Sequence, residues 1–238
     1  MIARYVWVAA LVAVGCGGGP AVRRTGGQTA DSSPIPSTAR PPDRQSASAA
    51  IVFLGTSLTA GYGLADPATQ AYPALLQAKL DSAGRAFRVV NAGLSGESSA
   101  GALSRIDFLL RRDTVAVLIV ETGANDGLRG QDPDSVRARI QAIFDRAKQT
   151  IPPPRLVLVG MEALPNLGQD YVRRFHAIFP EVARANRAAL VPFLLSGVAG
   201  VDSLNQDDGI HPTAAGHRLL AQNVWPVLEE VTRTRLHQ

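Results

Sequence analysis

Cysteine and histidine are scarce in this chain of 238 residues, which contains one cysteine, Cys16, and four histidines. A lone cysteine has no partner for an internal disulfide, and neither H-E-x-x-H nor C-x-x-C occurs to hold zinc. No glycine-rich segment carries the Lys-Ser or Lys-Thr of a phosphate-binding loop. We therefore expect no metal site and no cofactor.

Clustered positive charge is also lacking, although the net charge is +4 and the isoelectric point is near 9.7. Arg4 and the stretch 17–48 supply three of the four net positive charges, so the remaining chain carries about +1. Nucleic-acid binding requires a basic patch on the folded domain. The sequence therefore excludes a nucleic-acid partner, whereas a basic tail favours an anionic membrane surface.

An apolar run of eleven residues, Tyr5–Gly15, follows Arg4 but is too short to span a bilayer. It ends at Ala13-Val14-Gly15-Cys16, which resembles the lipobox of bacterial lipoprotein signals, with Ala13 in place of the usual Leu. This resemblance implies lipidation of Cys16 and a protein anchored in the bacterial cell envelope, facing the periplasm or the exterior. The alternative is an ordinary signal peptide with an incidental cysteine.

Composition divides the chain into three regions. We expect residues 1–15 to be a signal peptide. Residues 16–48, rich in Gly, Ser, Thr, Pro and Arg, cannot bury enough apolar surface to fold, and a flexible tether of this length spans roughly 30 Å. Residues 49–238 suffice for one domain with a full core, which we expect to be a monomer.

Within residues 49–238, apolar strands alternate with amphipathic helices. The strands are predicted at 50–55, 87–92, 115–121, 155–161 and 189–195. The helices are predicted at 72–83, 100–112, 133–150 and 171–187, and a last one opens at Pro212, with Pro226 kinking or breaking it. This alternation predicts an α/β fold with a parallel sheet covered on both faces, in which ligands bind at the carboxyl ends of the strands.

Four short polar segments follow predicted strands or lie in a late loop: Gly55-Thr56-Ser57-Leu58, Ser95-Gly96-Glu97, Gly123-Ala124-Asn125-Asp126 and Asp208-Gly209-Ile210-His211-Pro212. Ser57 at a strand-to-helix turn suits a nucleophile, and the alternative is a serine that caps the helix. Asp208 lies three residues before His211, close enough to orient the imidazole as a base, with Asp207 as the rival carboxylate. The chain thus carries a candidate catalytic triad.

The second and third segments offer hydrogen-bond donors to an oxyanion. Gly96 lets a backbone N–H approach a developing negative charge closely, and Gly93 is a nearby rival. The side-chain amide of Asn125 can donate a further hydrogen bond, although an Asx turn would explain the same residue. With the backbone N–H of Ser57, these residues form the candidate oxyanion hole.

Taken together, the four segments resemble the blocks of the SGNH (GDSL) hydrolases over roughly residues 50–231. The likeness is closest to the bacterial branch of arylesterases, thioesterases and lysophospholipases. It implies a three-layer α/β/α sandwich whose five-stranded sheet has the flavodoxin-like order 2-1-3-4-5. The family pattern selects Asp208 over Asp207 and Gly96 over Gly93.

Two positions bear on the substrate and on the fine geometry of the site. The family usually has Asp where this chain has Thr56, and we expect the Thr56 hydroxyl to hydrogen-bond nearby backbone. The loop 163–168 resembles one that borders the acyl pocket, so Leu164, Pro165 and Asn166 are candidate substrate contacts; the alternative is a plain connecting loop. Relatives often have an aromatic residue where Leu167 stands.

These features predict a serine ester hydrolase that acts through an acyl-enzyme intermediate on aryl esters, acyl thioesters or lysophospholipids. One alternative keeps the chemistry and changes the substrate to acetylated carbohydrate. The other is a catalytically silent binding module tethered to a membrane. The remaining histidines, His176, His217 and His237, are interpreted as packing or surface residues.

Overall fold

Five parallel strands form a single sheet in the computed structural model, which describes residues 49–233. The strands are β1 (Ala49–Gly55), β2 (Phe87–Gly93), β3 (Val115–Glu121), β4 (Arg155–Val159) and β5 (Ala189–Val191). Their spatial order is β2-β1-β3-β4-β5, and every adjacent pair is parallel. The predicted α/β fold and strand order are confirmed.

Eight α-helices connect and cover the strands within the described residues. They are α1 (Ser57–Ala60), α2 (Pro67–Gln70), α3 (Tyr72–Ser82), α4 (Ser99–Arg112), α5 (Ala124–Leu128), α6 (Pro133–Lys148), α7 (Gln169–Asn186) and α8 (Ala214–Arg233). Short 3-10 helices span Pro165–Leu167 and Asp202–Leu204. As its sequence predicts, α6 begins with Asp132 accepting a hydrogen bond from the Ser135 N–H and with Pro133 in its first turn. None of these helices is both long and apolar enough to cross a membrane.

Helices lie in two layers with the sheet between them. On one face α3 packs against α8, and on the other α6 packs against both α4 and α7. All seven residues of β3, the middle strand, are buried, because helices cover both faces of the sheet. A buried strand of this kind has a near-continuous apolar sequence, which is why it could be recognised from the sequence.

Several predicted boundaries differ from the structure. β4 ends at Val159 and β5 at Val191, earlier than predicted, although the Gly160 N–H still donates to the Val191 carbonyl; a bend and a run of turns follow β5. α8 begins at Ala214, and Pro226 lies inside it. Pro226 is exposed, so water can solvate the carbonyl that its missing N–H leaves free. Of the kink or break expected at Pro226, the structure excludes the break, because α8 continues through this residue.

Candidate active site

Ser57 is the first residue of α1 and follows β1 after a single residue. Thr56 occupies the N-cap position, so the alternative in which Ser57 merely caps the helix is wrong. Ser57 is only 8% exposed, yet its Oγ lies 3.0 Å from His211 Nε2. The end of β1 therefore places the Ser57 hydroxyl beside the His211 imidazole at the carboxyl edge of the sheet.

Asp208 and His211 form a pair across a tight turn. Asp208 Oδ2 lies 2.6 Å from His211 Nδ1, and its Oδ1 accepts the backbone N–H groups of Ile210 and His211, each at 2.9 Å. Hydrogen bonds, above all that from the His211 side chain, lower the pKa of the Asp208 carboxyl to about 2. A carboxylate can only accept, so Nδ1 carries the imidazole proton and Nε2 is free to accept one from Ser57. Asp207, the rival carboxylate, is exposed.

Hydrogen bonds close the loop that carries this pair and attach it to the segment that follows α1. Gln206 donates its backbone N–H to the His211 carbonyl at 2.7 Å and its side-chain amide to the Tyr62 carbonyl at 2.8 Å. The Tyr62 ring lies 4.6 Å from the His211 ring, centre to centre. Asp208 and Tyr62 thus hold the imidazole from two sides. Sequence reasoning missed Tyr62, because no pattern links it to a histidine so distant in the chain.

Gly96 and Asn125 belong to two loops that the structure ties together. The Asn125 amide donates to the Glu97 carbonyl at 3.0 Å, and Arg129 donates to the Gly96 carbonyl at 3.1 Å. The Leu94 N–H donates at 2.9 Å to the carbonyl of Gly55, which brings this loop to the end of β1. The amide of Asn125 has a second N–H to donate.

The two candidate glycines have different structural requirements. Gly96 has φ of +78°, a conformation that favours glycine, and open space where a side chain would stand. A Cβ on Gly93 would lie 2.2 Å from the backbone nitrogen of Ala60. Close packing of β2 on α1 therefore explains Gly93 without any role in catalysis.

Asp126 holds together the loops that carry Gly96 and Asn125. It is fully buried and accepts hydrogen bonds from the Ser99 N–H at 2.8 Å and the Ser99 hydroxyl at 2.7 Å. Its second contact is Arg139, 3.5 Å away. Asp126 thereby joins the start of α4 to α5, on which Asn125 lies. Sequence reasoning treated Asp126 only as part of a motif.

A buried polar cluster lies behind Ser57, and it corrects the expectation for Thr56. The Thr56 N–H and hydroxyl both reach the carboxyl of Glu121, which also receives the Thr59 hydroxyl. Burial raises the pKa of Glu121 to about 7, although these hydrogen bonds oppose the shift. Both the hydroxyl and the backbone N–H of Thr56 thus donate to a side chain at the end of another strand. The hydroxyl does not bond to nearby backbone, as the sequence had led us to expect. A glutamate at the end of an apolar strand was the signal that sequence reasoning passed over.

Tyr72 and His217 extend this cluster toward α8. The Tyr72 hydroxyl lies 2.7 Å from Thr59 Oγ1, and its backbone N–H donates to His217 Nδ1 at 3.2 Å. Burial raises the pKa of Tyr72, and burial also lowers the pKa of His217 to about 4. His217 is therefore a neutral packing residue, as interpreted from the sequence.

The loop after β4 is exposed. Leu164, Pro165 and Asn166 all face solvent, and of the three only Pro165 lines a shallow groove of about 440 Å³. The other lining residues are Glu162, Gln169, Val172, Arg173 and His176. His176 pairs with Glu162 at 2.7 Å on this open surface.

A hydrogen bond connects α7 to the segment between α5 and α6. The Tyr171 hydroxyl donates at 2.7 Å to the carbonyl of Gln131, in the segment that follows α5.

Over residues 49–233, no three His, Cys, Asp or Glu side chains are grouped as metal ligands would be. Cys16, His237 and the predicted signal peptide and tether lie outside the described residues.

A sequence profile decides the family. The profile of the GDSL-like lipase/acylhydrolase family matches residues 53–219, which is more than half of the chain. This chain belongs to that family. It is a serine esterase, and the matched region contains all the candidate catalytic and oxyanion residues.

Individual members of the GDSL-like family agree with this assignment. The chain is 38% identical over 186 residues to esterase TesA of Pseudomonas aeruginosa, covering 78% of this chain and 90% of the relative. It is 35% identical over 178 residues to thioesterase 1/protease 1/lysophospholipase L1 of Escherichia coli K12, covering 75% and 82%. A crystal structure of TesA superposes with a TM-score of 0.72 at 38% identity, covering 76% of this chain and 99% of that one.

Proposed function

We propose that Ser57 is the nucleophile of this esterase, with His211 as its general base and Asp208 as the residue that orients the base. The observation that carries the proposal is the chain of contacts from Asp208 through the imidazole to the Ser57 hydroxyl, at 2.6 Å and 3.0 Å. Both distances are within direct proton-transfer reach. The order of the three groups is that of a catalytic triad.

Acylation follows from this geometry. Ser57 Oγ attacks the substrate carbonyl as its proton moves to His211 Nε2, and Asp208 stabilises the imidazolium that forms. The N–H groups of Ser57 and Gly96 and the amide of Asn125 bind the oxyanion. The intermediate collapses when the C–O or C–S bond breaks and His211 returns the proton to the leaving alcohol or thiol.

Deacylation repeats the same steps with water. His211 Nε2 removes a proton from a water molecule that attacks the acyl-enzyme, and Ser57 leaves as the protonated hydroxyl. Products are the free acid and the alcohol or thiol. A fluorophosphonate probe tests the assignment: intact-mass and peptide analysis should locate the adduct on Ser57 alone. An adduct on another serine would contradict it.

The surface around Ser57 supports acyl esters and thioesters as substrates. Eight large hydrophobic side chains are exposed in the described residues, and three of them adjoin site residues. The Tyr62 ring contacts the His211 ring, Leu94 lies two residues before Gly96, and Ile210 directly precedes His211. Apolar side chains around a nucleophile favour acyl chains over acetylated sugar, which needs polar partners.

Substrate competition measures this preference. The enzyme should hydrolyse p-nitrophenyl esters of medium chain length, acyl thioesters and lysophospholipids with higher kcat/KM than acetylated xylose or glucose. Faster deacetylation of the sugars would identify a carbohydrate esterase instead. A folded protein inactive on every ester would identify a binding module.

We also propose that Cys16 carries a lipid anchor that holds the esterase in the bacterial envelope, with residues 16–48 as the tether. Support comes from the short apolar run and the small residues before Cys16. Mass spectrometry of the mature amino terminus should find a diacylglyceryl group on Cys16. Cys16→Ser should release the protein without changing its kcat, and an unmodified or absent Cys16 in the mature protein would refute the anchor.

A further inference from the structure

The carboxyl of Glu121 contacts both flanks of the nucleophile. Glu121 ends β3, the strand beside β1, and its side chain is fully buried. Its Oε2 accepts the Thr56 N–H and the Thr59 hydroxyl, each at 2.8 Å, and the Thr56 hydroxyl lies 3.0 Å from Oε1. Thr56 precedes Ser57 by one residue, and Thr59 follows it by two. One side chain therefore holds the turn on both sides of Ser57.

The hydrogen bonds around Glu121 have a fixed direction when it is ionised. A carboxylate only accepts, so the Thr59 hydroxyl must donate to it and therefore accepts from the Tyr72 hydroxyl. Tyr72 is itself held in place by its ring, which packs edge-on against Phe53. The result is a chain of donors that runs from Tyr72 of α3 through Thr59 to Glu121, and Thr56 donates to the same carboxylate directly.

The turn depends on this support because α1 has little stability of its own. α1 has four residues, and helices that short do not persist in water without tertiary contacts. The Thr56 side chain makes no capping hydrogen bond to α1, since its hydroxyl is directed to Glu121. A Cβ at Gly55 would lie 1.9 Å from Thr59 Oγ1 and 2.9 Å from Glu121 Oε2, so the three groups are tightly packed.

Other charged and titratable groups surround the cluster. Tyr72 faces Glu121 from α3, with His217 of α8 behind it. From α4, Arg105 donates to the Gly55 carbonyl at 3.3 Å, and its own carboxylate partner is Glu97 at 2.6 Å. The ion pair of Arg105 is thus with Glu97, and the contacts of Glu121 are the hydroxyl and N–H donors.

We propose that Glu121 is a positioning residue that sets Ser57 for attack by fixing Thr56 and Thr59. The proposal rests on the assignment of Ser57 as the nucleophile. Glu121 takes no part in proton transfer and touches no substrate; it acts through the backbone of the turn. Loss of its acceptor atoms lets Ser57 move relative to His211, and a displacement of about 1 Å can cost on the order of 100-fold in rate.

Two variants of Glu121 distinguish the loss of its hydrogen-bond acceptors from the loss of its charge or volume. In Glu121→Gln the amide oxygen can accept from Thr56 and Thr59, while the amide nitrogen donates to the Thr56 hydroxyl. Glu121→Met keeps a similar volume and removes both acceptors. Thr122→Val is the matched control, since Thr122 is the next residue, is buried, and its hydroxyl makes no hydrogen bond within residues 49–233.

The readouts are kcat, KM, the rate of fluorophosphonate labelling and the melting temperature. We expect Glu121→Met to lower kcat and the labelling rate on the order of 100-fold with KM little changed, and Glu121→Gln to stay within about tenfold. Thr122→Val should match the parent enzyme. A folded Glu121→Met enzyme with parental kcat, or equal losses in the Met and Gln variants, would overturn the proposal.

Smaller changes keep the test decisive if Glu121→Met does not fold. Thr59→Val should lower kcat in the parent enzyme and cost less when combined with Thr56→Val, because both hydroxyls contact the same carboxyl and residues in one hydrogen-bond network are not additive. Full additivity of the two changes would contradict the network. Ser57→Ala separates the two claims: if it stays active, the nucleophile is misassigned, whereas parental activity in the Glu121 variants alone refutes only the positioning role.

Discussion

At the scale of single residues, Asp208 illustrates how one side chain serves two purposes. One carboxylate oxygen holds the His211 ring, and the other holds the turn that carries it. Asp208 is partly exposed, with 40% of its side chain accessible, yet its hydrogen bonds keep the pKa of the carboxyl near 2. The group is therefore ionised throughout the range in which the enzyme can be assayed.

Replacement of this carboxyl should leave an enzyme whose base is misoriented. We expect Asp208→Ala to lower kcat at least about 100-fold, because His211 loses the partner that fixes its tautomer. The loss does not come from titration of Asp208 itself, which stays ionised from pH 5 to pH 9. Asp207→Ala is the control and should keep parental kcat; the assignment is reversed if Asp207→Ala is the damaging change.

Thr56 stands where the resemblance to the SGNH hydrolases led us to expect Asp. Thr56→Asp would place a second carboxyl against Glu121, and two such groups share one proton. The pKa of Glu121 is already raised to about 7, so it can supply that protonated partner. We expect Thr56→Asp to retain kcat within about tenfold, or roughly 1.4 kcal/mol of barrier. Steady-state kinetics with a folding control would contradict this if the variant is folded and inactive.

At the scale of structural elements, the oxyanion loop depends on a backbone conformation that only glycine adopts freely. Gly96 and Gly197 share this property, with φ of +78° and +72°, and neither has a neighbour where a Cβ would stand. Only Gly96 belongs to the candidate site. Alanine variants at these two glycines therefore distinguish the cost of backbone strain from an effect on catalysis.

Alanine at either glycine should cost roughly 1–2 kcal/mol of folding free energy, because both positions have positive φ. Only Gly96→Ala should also lower kcat, by tenfold or more, since a displaced N–H weakens oxyanion binding. Denaturant unfolding and steady-state kinetics on both variants measure the two effects. Equal kcat in the two variants would remove Gly96 from the oxyanion hole.

The elements most accessible to sequence reasoning were those with a single local cause. β3 was recognisable because burial on both faces makes it apolar throughout, and α6 because Asp132 and Pro133 mark its start. The sequence left a kink or a break open at Pro226, because the exposure of the helix face, which decides the cost of a proline, is a tertiary property. Tyr62 and Glu121 were missed because their contacts are also tertiary: their partners lie far away in sequence.

At the scale of the whole molecule, two buried groups give opposite responses to pH. The folded-state pKa of Glu121 is raised from 4.5 to about 7, so the folded state binds its proton more tightly than the unfolded state. Its contribution to stability is therefore lost as pH rises from about 4.5 to 7. The pKa of His217 is lowered from 6.5 to about 4, so its contribution is lost as pH falls through that range. In the parent protein the two responses oppose each other.

Glu121→Gln should expose this compensation. The free energy of unfolding of the variant relative to the parent should rise by about 3 kcal/mol between pH 4.5 and 7, since glutamine removes the cost of burying a carboxylate. Urea unfolding at several pH values measures the difference directly. A difference that stays constant over this range would mean that Glu121 is not the titrating group.

The central claim is that Ser57 and His211 act as one unit in a serine esterase, and a double-mutant cycle on kcat tests it most directly. Ser57→Ala and His211→Ala should each remove nearly all turnover of an activated ester, and the double variant should be little worse than either, because both residues serve the same step. All three proteins should melt cooperatively near the parent temperature. Parental activity in Ser57→Ala, or losses that multiply in the double variant, would contradict the account.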